Sequence, residues 1–81
     1  MSEQQKEVKV YSIPTCPHCK KVKMFLENNG IAFQDVNVAA DKAAREEMVQ
    51  KTRQMGVPVT FIDGDYIIGD DEGKLREKLG L

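Results

Sequence analysis

The sequence predicts an α/β fold with elements in the order βαβαββα, a four-stranded mixed sheet flanked by helices. Three observations point there. Apolar, β-branched runs of strand length recur at residues 8–13, 31–38, 57–62 and 66–68. The stretches after the first, second and last of these runs carry apolar residues at helical spacing. Turn and capping residues mark the boundaries, and only the last two strands lie close enough to form a hairpin. With 81 residues the chain has room for one small domain, 1–81, and no more. At that size folding buries only about 60% of the unfolded chain's surface, so the core must be thin and compact.

Residues 1–6 are polar and read as a disordered leader. Val8 to Ile13 is the first strand, apolar on both faces as a strand covered on both sides should be. Pro14 and Thr15 end it. Cys16-Pro17-His18-Cys19 then opens a helix running to Asn29, with Pro17 in the first turn, where its missing N–H is not needed. Val22, Phe25 and Leu26 form the buried stripe, and Lys20, Lys21 and Lys23 are expected to face away. Asn29-Gly30 is a stop signal with glycine just past the end.

Ile31 to Val38 supplies the second strand, with Phe33, Val36 and Val38 as its apolar positions. Asp41 caps a helix from Lys42 to about Arg53, whose narrow buried face is Ala44, Met48 and Val49. Val57 to Ile62 is the third strand, and Asp63-Gly64-Asp65 turns the chain into Tyr66-Ile67-Ile68. After Gly69, Asp70 or Asp71 caps a short last helix that sets Leu75 and Leu79 on the core. The first βαβ unit should be parallel and right-handed, and the hairpin adds two antiparallel strands to the same sheet.

Several function classes drop out on composition. Twelve Lys+Arg against 13 Asp+Glu leave a net charge of −1, which gives no electrostatic case for nucleic acid or an anionic membrane. No apolar stretch approaches a membrane span, and the amino terminus has no apolar h-region, so a soluble cytoplasmic monomer is expected. Both cysteines fall in one CxxC, which leaves none for a structural disulfide framework. In a reducing compartment a lone CxxC means redox catalysis or metal binding.

Position favours redox chemistry. Two thiols three residues apart at a helix start share a face and can close a disulfide. The helix amides and the positive end of the dipole favour a thiolate at Cys16. Cys16 is therefore the expected nucleophile, attacking a substrate disulfide, and Cys19, one turn further in, resolves the mixed disulfide. Pro17 stiffens the turn. His18 either supports the Cys16 thiolate with charge or a hydrogen-bond donor, or is an ordinary solvated histidine. Structural zinc wants four ligands, and only Cys16, Cys19 and His18 are at hand, the last wedged between the thiols; no metal ligands are assigned. Pro58 is the second signal. From spacing alone it is an ordinary trans proline at a strand start, whereas a cis bond would leave the Val57 backbone open to an extended substrate.

Tyr11 to Cys19, then Gly56-Val57-Pro58-Val59, then Gly69-Asp70-Asp71 together resemble the glutaredoxins, within the thioredoxin fold, over about Val8 to Leu79. The resemblance implies a minimal thioredoxin fold, a cis Pro58 facing the thiols, and dithiol oxidoreductase activity on protein disulfides or glutathione mixed disulfides. It implies no bound cofactor, glutathione as co-substrate, and glutathione contacts at Cys16, Val57, Pro58, Asp70 and Asp71. Three positions depart from the family's glutathione pattern: Ile13 where lysine is frequent, Ile68-Gly69 in place of Gly-Gly, and Pro-His in place of Pro-Tyr. Without that lysine, Lys51 or Arg53 is the expected partner for a glutathione carboxylate. The chain is also similar to small redoxins that take electrons from thioredoxin reductase and reduce enzymes such as ribonucleotide reductase. The reductant is thus expected to be the glutathione system or thioredoxin reductase. Two other classes stand beside this reading: an iron–sulfur or metal carrier using Cys16 from two chains plus glutathione, and a non-catalytic interaction module.

Overall fold

A computed structural model describes residues 7–81; the expected leader at 1–6 lies outside the described residues. The elements are β1 (Val8–Ser12), α1 (Pro17–Asn28), β2 (Gln34–Asn37), α2 (Lys42–Thr52), β3 (Val59–Ile62), β4 (Asp65–Ile68) and α3 (Glu72–Leu79). They form one four-stranded sheet of order β2-β1-β3-β4. β1 runs parallel to β2 and antiparallel to β3, and β3 to β4 is an antiparallel hairpin. This is the βαβαββα mixed sheet expected from the sequence.

Strand alternation sorts the core into two layers. Val8, Val10, Ile62 and Ile67 pack with Val22, Phe25 and Leu26 of α1 and Leu75 of α3. Tyr11, Val38 and Val59 pack with Met48 of α2 on the opposite face. β1 is therefore buried almost throughout, whereas β2, an edge strand, is exposed except at Val36.

Two strand starts differ from expectation, and the end of α2 and the start of α3 fall where expected, each for a local reason. The second strand starts at Gln34 rather than Ile31 because the chain is still finishing α1. Gly30, at φ +68°, donates its N–H to Glu27 O and Ile31 donates to Leu26 O, the paired bonds of a Schellman end. Ile31 and Phe33 pack against the α1 layer instead of extending the ladder. α2 ends at Thr52, whose hydroxyl donates back to Met48 O at 2.7 Å, and Arg53 then turns left-handed at φ 58°. β3 starts at Val59, because the Val57–Pro58 bond ahead of it is cis rather than the trans bond that spacing suggests. Of the two candidate caps of α3, Asp71 is the one that acts: its carboxylate accepts the Lys74 N–H at 3.2 Å.

Candidate functional site

The carboxyl end of β1 delivers the chain straight into the first turn of α1, with Cys16 as its N-cap residue. Cys16 Sγ accepts the backbone N–H of Cys19 at 3.2 Å, so the helix end is capped by a thiol. Pro17 occupies the first helical position. Both cysteines are free thiols. Cys16 is 9% exposed and Cys19 is fully buried, so an incoming disulfide meets Cys16 first.

Across from Cys16 lies the turn before β3. The Cys16 thiol makes a long contact, 3.9 Å, to the Val57 carbonyl, and Pro58 behind it is packed into the core. Gly69 at the end of β4 donates to Pro58 O at 2.9 Å, which ties that turn to the start of α3. The ends of β1, β3 and β4 thus converge on the thiols.

The start of α3 reaches the motif through a side-chain pair. His18 Nδ1 stands 3.0 Å from Asp70 Oδ2, joining residues 52 apart in sequence. An ionised carboxylate only accepts, so Nδ1 carries the hydrogen and donates. That bond holds the Asp70 carboxyl below its ordinary range. A hollow of about 200 Å³ opens beside it, lined by Lys21, Val22, Asp70, Glu72 and Leu75. Two larger hollows, about 380 Å³ around Tyr11, Phe61 and Tyr66 and about 410 Å³ along α2 at Arg45, Val49 and Met55, are lined by neither cysteine.

Beneath the thiols is a polar chain that the apolar pattern did not disclose. Lys20 and Lys21 are exposed as expected. Lys23 instead is largely shielded, its side chain 23% exposed, and donates to Asp35 Oδ2 on β2 at 2.9 Å. Asp35 Oδ1 accepts from the buried Ser12 hydroxyl at 2.8 Å. Burial works against the Asp35 anion, but the bonds from Lys23 and Ser12 outweigh it and hold the carboxyl below its usual range. The one sequence signal for Lys23 is its spacing: it follows Cys19 by four residues and shares its helix face. Cys19 itself is pushed up to about 11, first by burial and then by the bond to Cys16, while the Ile13 amide and Lys23 pull the other way.

The structure therefore brings Cys16, Cys19, Val57 and Pro58 together and joins His18 to Asp70. Asp71 sits one residue on, its carboxylate engaged in the helix cap. Arg53 is exposed at the end of α2, and Lys51 there pairs with Glu47 at 3.1 Å and lies over the Phe61 ring. Among the described residues no group of three or more His, Cys, Asp or Glu side chains could hold a metal ion, and no helix is long and apolar enough to cross a membrane.

A mixed sheet with a CxxC at the amino end of α1, facing a cis-proline turn, defines a thioredoxin-like redox protein. A solved variant of a thioredoxin-like protein superposes with a TM-score of 0.87 at 34% identity, covering 91% of this chain and 95% of that one. The glutaredoxin family model matches residues 8–67, and the chain belongs to the glutaredoxin family. It is 50% identical over 68 residues to an uncharacterized glutaredoxin-like 8.6 kDa protein in the rubredoxin operon of Clostridium pasteurianum, covering 84% of this chain and 91% of that protein. It is 37% identical over 65 residues to glutaredoxin 3 of Escherichia coli K12, covering 80% and 78%. Family and cysteine pair together give the protein a thiol redox function.

Proposed function

We propose that the protein is a dithiol thiol–disulfide oxidoreductase that reduces protein disulfides or glutathione mixed disulfides, with Cys16 as nucleophile and Cys19 as resolving thiol. The observation that carries this reading is the N-cap geometry, in which Cys16 Sγ takes the Cys19 amide N–H at 3.2 Å while remaining the more exposed thiol. Amide donors and the helix end favour negative charge on that sulfur. The Cys16 thiolate attacks one sulfur of the substrate disulfide, forming a mixed disulfide and expelling the first product thiolate, which takes a proton. Cys19 then loses its proton and attacks Cys16 Sγ. The Cys16–Cys19 disulfide forms, the bond to substrate breaks, and the second thiolate leaves and is protonated. Substrate is oxidant and the dithiol is reductant, so two electrons pass and the balance closes.

The Val57 carbonyl opposite Cys16 offers an acceptor to an extended peptide, and Asp70, Asp71 and Arg53 are the proposed polar contacts for glutathione. Glutathione is a co-substrate in this reading, not a resident group. A reductase of the glutathione or thioredoxin type restores the dithiol in a cytoplasmic setting, where the pair stays reduced between turnovers.

Supplying the oxidised protein with NADPH, and either glutathione plus its reductase or thioredoxin reductase, tests the reading. Consumption of NADPH with one system identifies the electron donor. Cys16→Ser is expected to abolish turnover in both, and Cys19→Ser to keep activity only on glutathione adducts. Full turnover by Cys16→Ser would refute the assignment.

A further inference from the structure

The resolving step places a demand on Cys19 that its surroundings oppose. The side chain is fully buried and donates toward Cys16, both of which favour the protonated thiol. Yet Cys19 must become a thiolate to attack the mixed disulfide, since the thiol is a poor nucleophile. Once Cys16 is bonded to substrate, its sulfur carries no charge to share. Some other group has to support the developing anion.

The groups whose hydrogen bonds or charge act on Cys19 are Cys16 and Lys23 of α1 and the Ile13 backbone of the segment after β1. Behind Lys23 stand Asp35 of β2 and Ser12 of β1. Lys23 is the cation of the set, one helical turn past Cys19 on the same face. Its position is built rather than incidental. The side chain is largely shielded from solvent, the ammonium is fixed on Asp35 at 2.9 Å, and Asp35 is fixed by the buried Ser12 hydroxyl at 2.8 Å. A lysine on a freely solvated face would have no such anchorage.

We propose that Lys23, anchored through Asp35 and Ser12, is a positioning residue of the resolving step, its ammonium held where it supports the negative charge that Cys19 carries as it attacks Cys16. The inference rests on the proposed role of Cys19. It adds a residue outside the CxxC that governs the second half of the cycle without touching the substrate. Asp35 acts in two senses: as an acceptor it fixes the ammonium in place, a role an asparagine oxygen keeps, and by its negative charge it offsets part of the ammonium's field, the part that Asp35→Asn removes. The two partners of one ion pair therefore have opposite effects on one rate, which no purely structural role would produce.

Reaction of the reduced protein with 5,5′-dithiobis(2-nitrobenzoate), followed by stopped flow, separates the steps. The first release of coloured thiolate reports attack by Cys16 and scales with reagent concentration. The second reports attack by Cys19 on the Cys16 mixed disulfide and is independent of reagent concentration. Lys23→Met should slow the second release about tenfold at pH 7, the factor given by roughly one pH unit of lost charge support, and shift its pH dependence upward. Asp35→Asn should speed it by roughly threefold, Lys23→Arg should restore most of the rate, and the first release should be unchanged in all three. The first release also shows that each variant is folded and reactive. An unaltered second release in Lys23→Met, or loss of rate in both Lys23→Met and Asp35→Asn, would overturn the proposal. Absence of any second release from the unaltered protein would instead refute the resolving role of Cys19 itself.

Discussion

Thr60 sits in the middle of β3, opposite Val10 on one side and Ile67 on the other, and all three face the α1 and α3 layer. It is fully buried, and its Oγ1 is a buried polar side-chain atom with no hydrogen-bond partner among the described residues. A buried hydroxyl without a partner costs about 1–3 kcal/mol of desolvation that nothing returns. Thr60→Val keeps the branching at Cβ that suits a strand and replaces the hydroxyl with a methyl, adding about 0.8 kcal/mol of apolar transfer. The methyl is slightly larger than the hydroxyl, and a tight fit between Val10 and Ile67 takes back up to about 1 kcal/mol. The net expectation is a gain of about 1–2 kcal/mol. Since about 1 kcal/mol moves Tm by roughly 4–8 °C in a domain this small, the melting point should rise by at least about 4 °C. Urea unfolding reads the same gain as a higher midpoint with an unchanged m-value. Thr60→Ser is the control: it keeps the hydroxyl, loses the methyl, and should be less stable than the parent. A Thr60→Val midpoint at or below that of the parent would refute the reasoning, because it would mean that the hydroxyl is satisfied.

Asp71→Ala should cost about 1 kcal/mol through the lost cap of α3, an eight-residue helix that holds Leu75 in the core, while Asp71→Ser should stay within a few tenths. Equal losses for Ala and Ser in urea unfolding would show that the carboxylate does more than accept the Lys74 N–H. Asp70, as a proposed glutathione contact, is already engaged by the His18 imidazole, so a ligand ammonium has to displace it. His18→Ala should therefore lower KM for a glutathione-adducted peptide by a small factor, roughly two- to threefold, as befits a solvent-exposed pair. A higher KM in that variant would mean that His18 assists the ligand rather than competing with it.

The fold was legible because its determinants are local. The stripe of Val22, Phe25 and Leu26, the stop at Gly30 and the hairpin turn at Asp63-Gly64 each depend on neighbours within a few residues, and each stands where the sequence puts it. The second strand shows where that logic stops. Ile31 and Phe33 are apolar and alternate as a strand would, but the Schellman bond from Ile31 to Leu26 O commits this stretch to the end of α1. The ladder to β1 begins only at Gln34 opposite Lys9. Periodicity reports which residues are buried, not which neighbour buries them. The end of α2, by contrast, falls where expected, at Thr52 and Arg53, and the Thr52 hydroxyl and the left-handed Arg53 supply the stop.

At the site, legibility divides along the same line. The thiol pair and its helix-end setting could be read because Cys16, Pro17 and Cys19 fix one another's geometry within a single turn. The partners of His18 and Lys23 could not, since they arrive from 52 and 12 residues away through a sheet register and a helix placement that no local pattern encodes. Lys23 also defeats the usual rule for lysine. Amphipathic counting scores it as solvent-facing with Lys20 and Lys21, but a lysine stem can lie on apolar surface while its ammonium reaches a carboxylate at the edge. β2 makes that possible: as an edge strand it is too polar to bury, and it presents Asp35 beside the Ser12 end of β1. A strand that looks weak as a core element is thus the one that positions a counter-ion for Lys23 of α1. The same exposure that makes β2 hard to predict gives it room for a charged side chain paired with Lys23, one helical turn past Cys19.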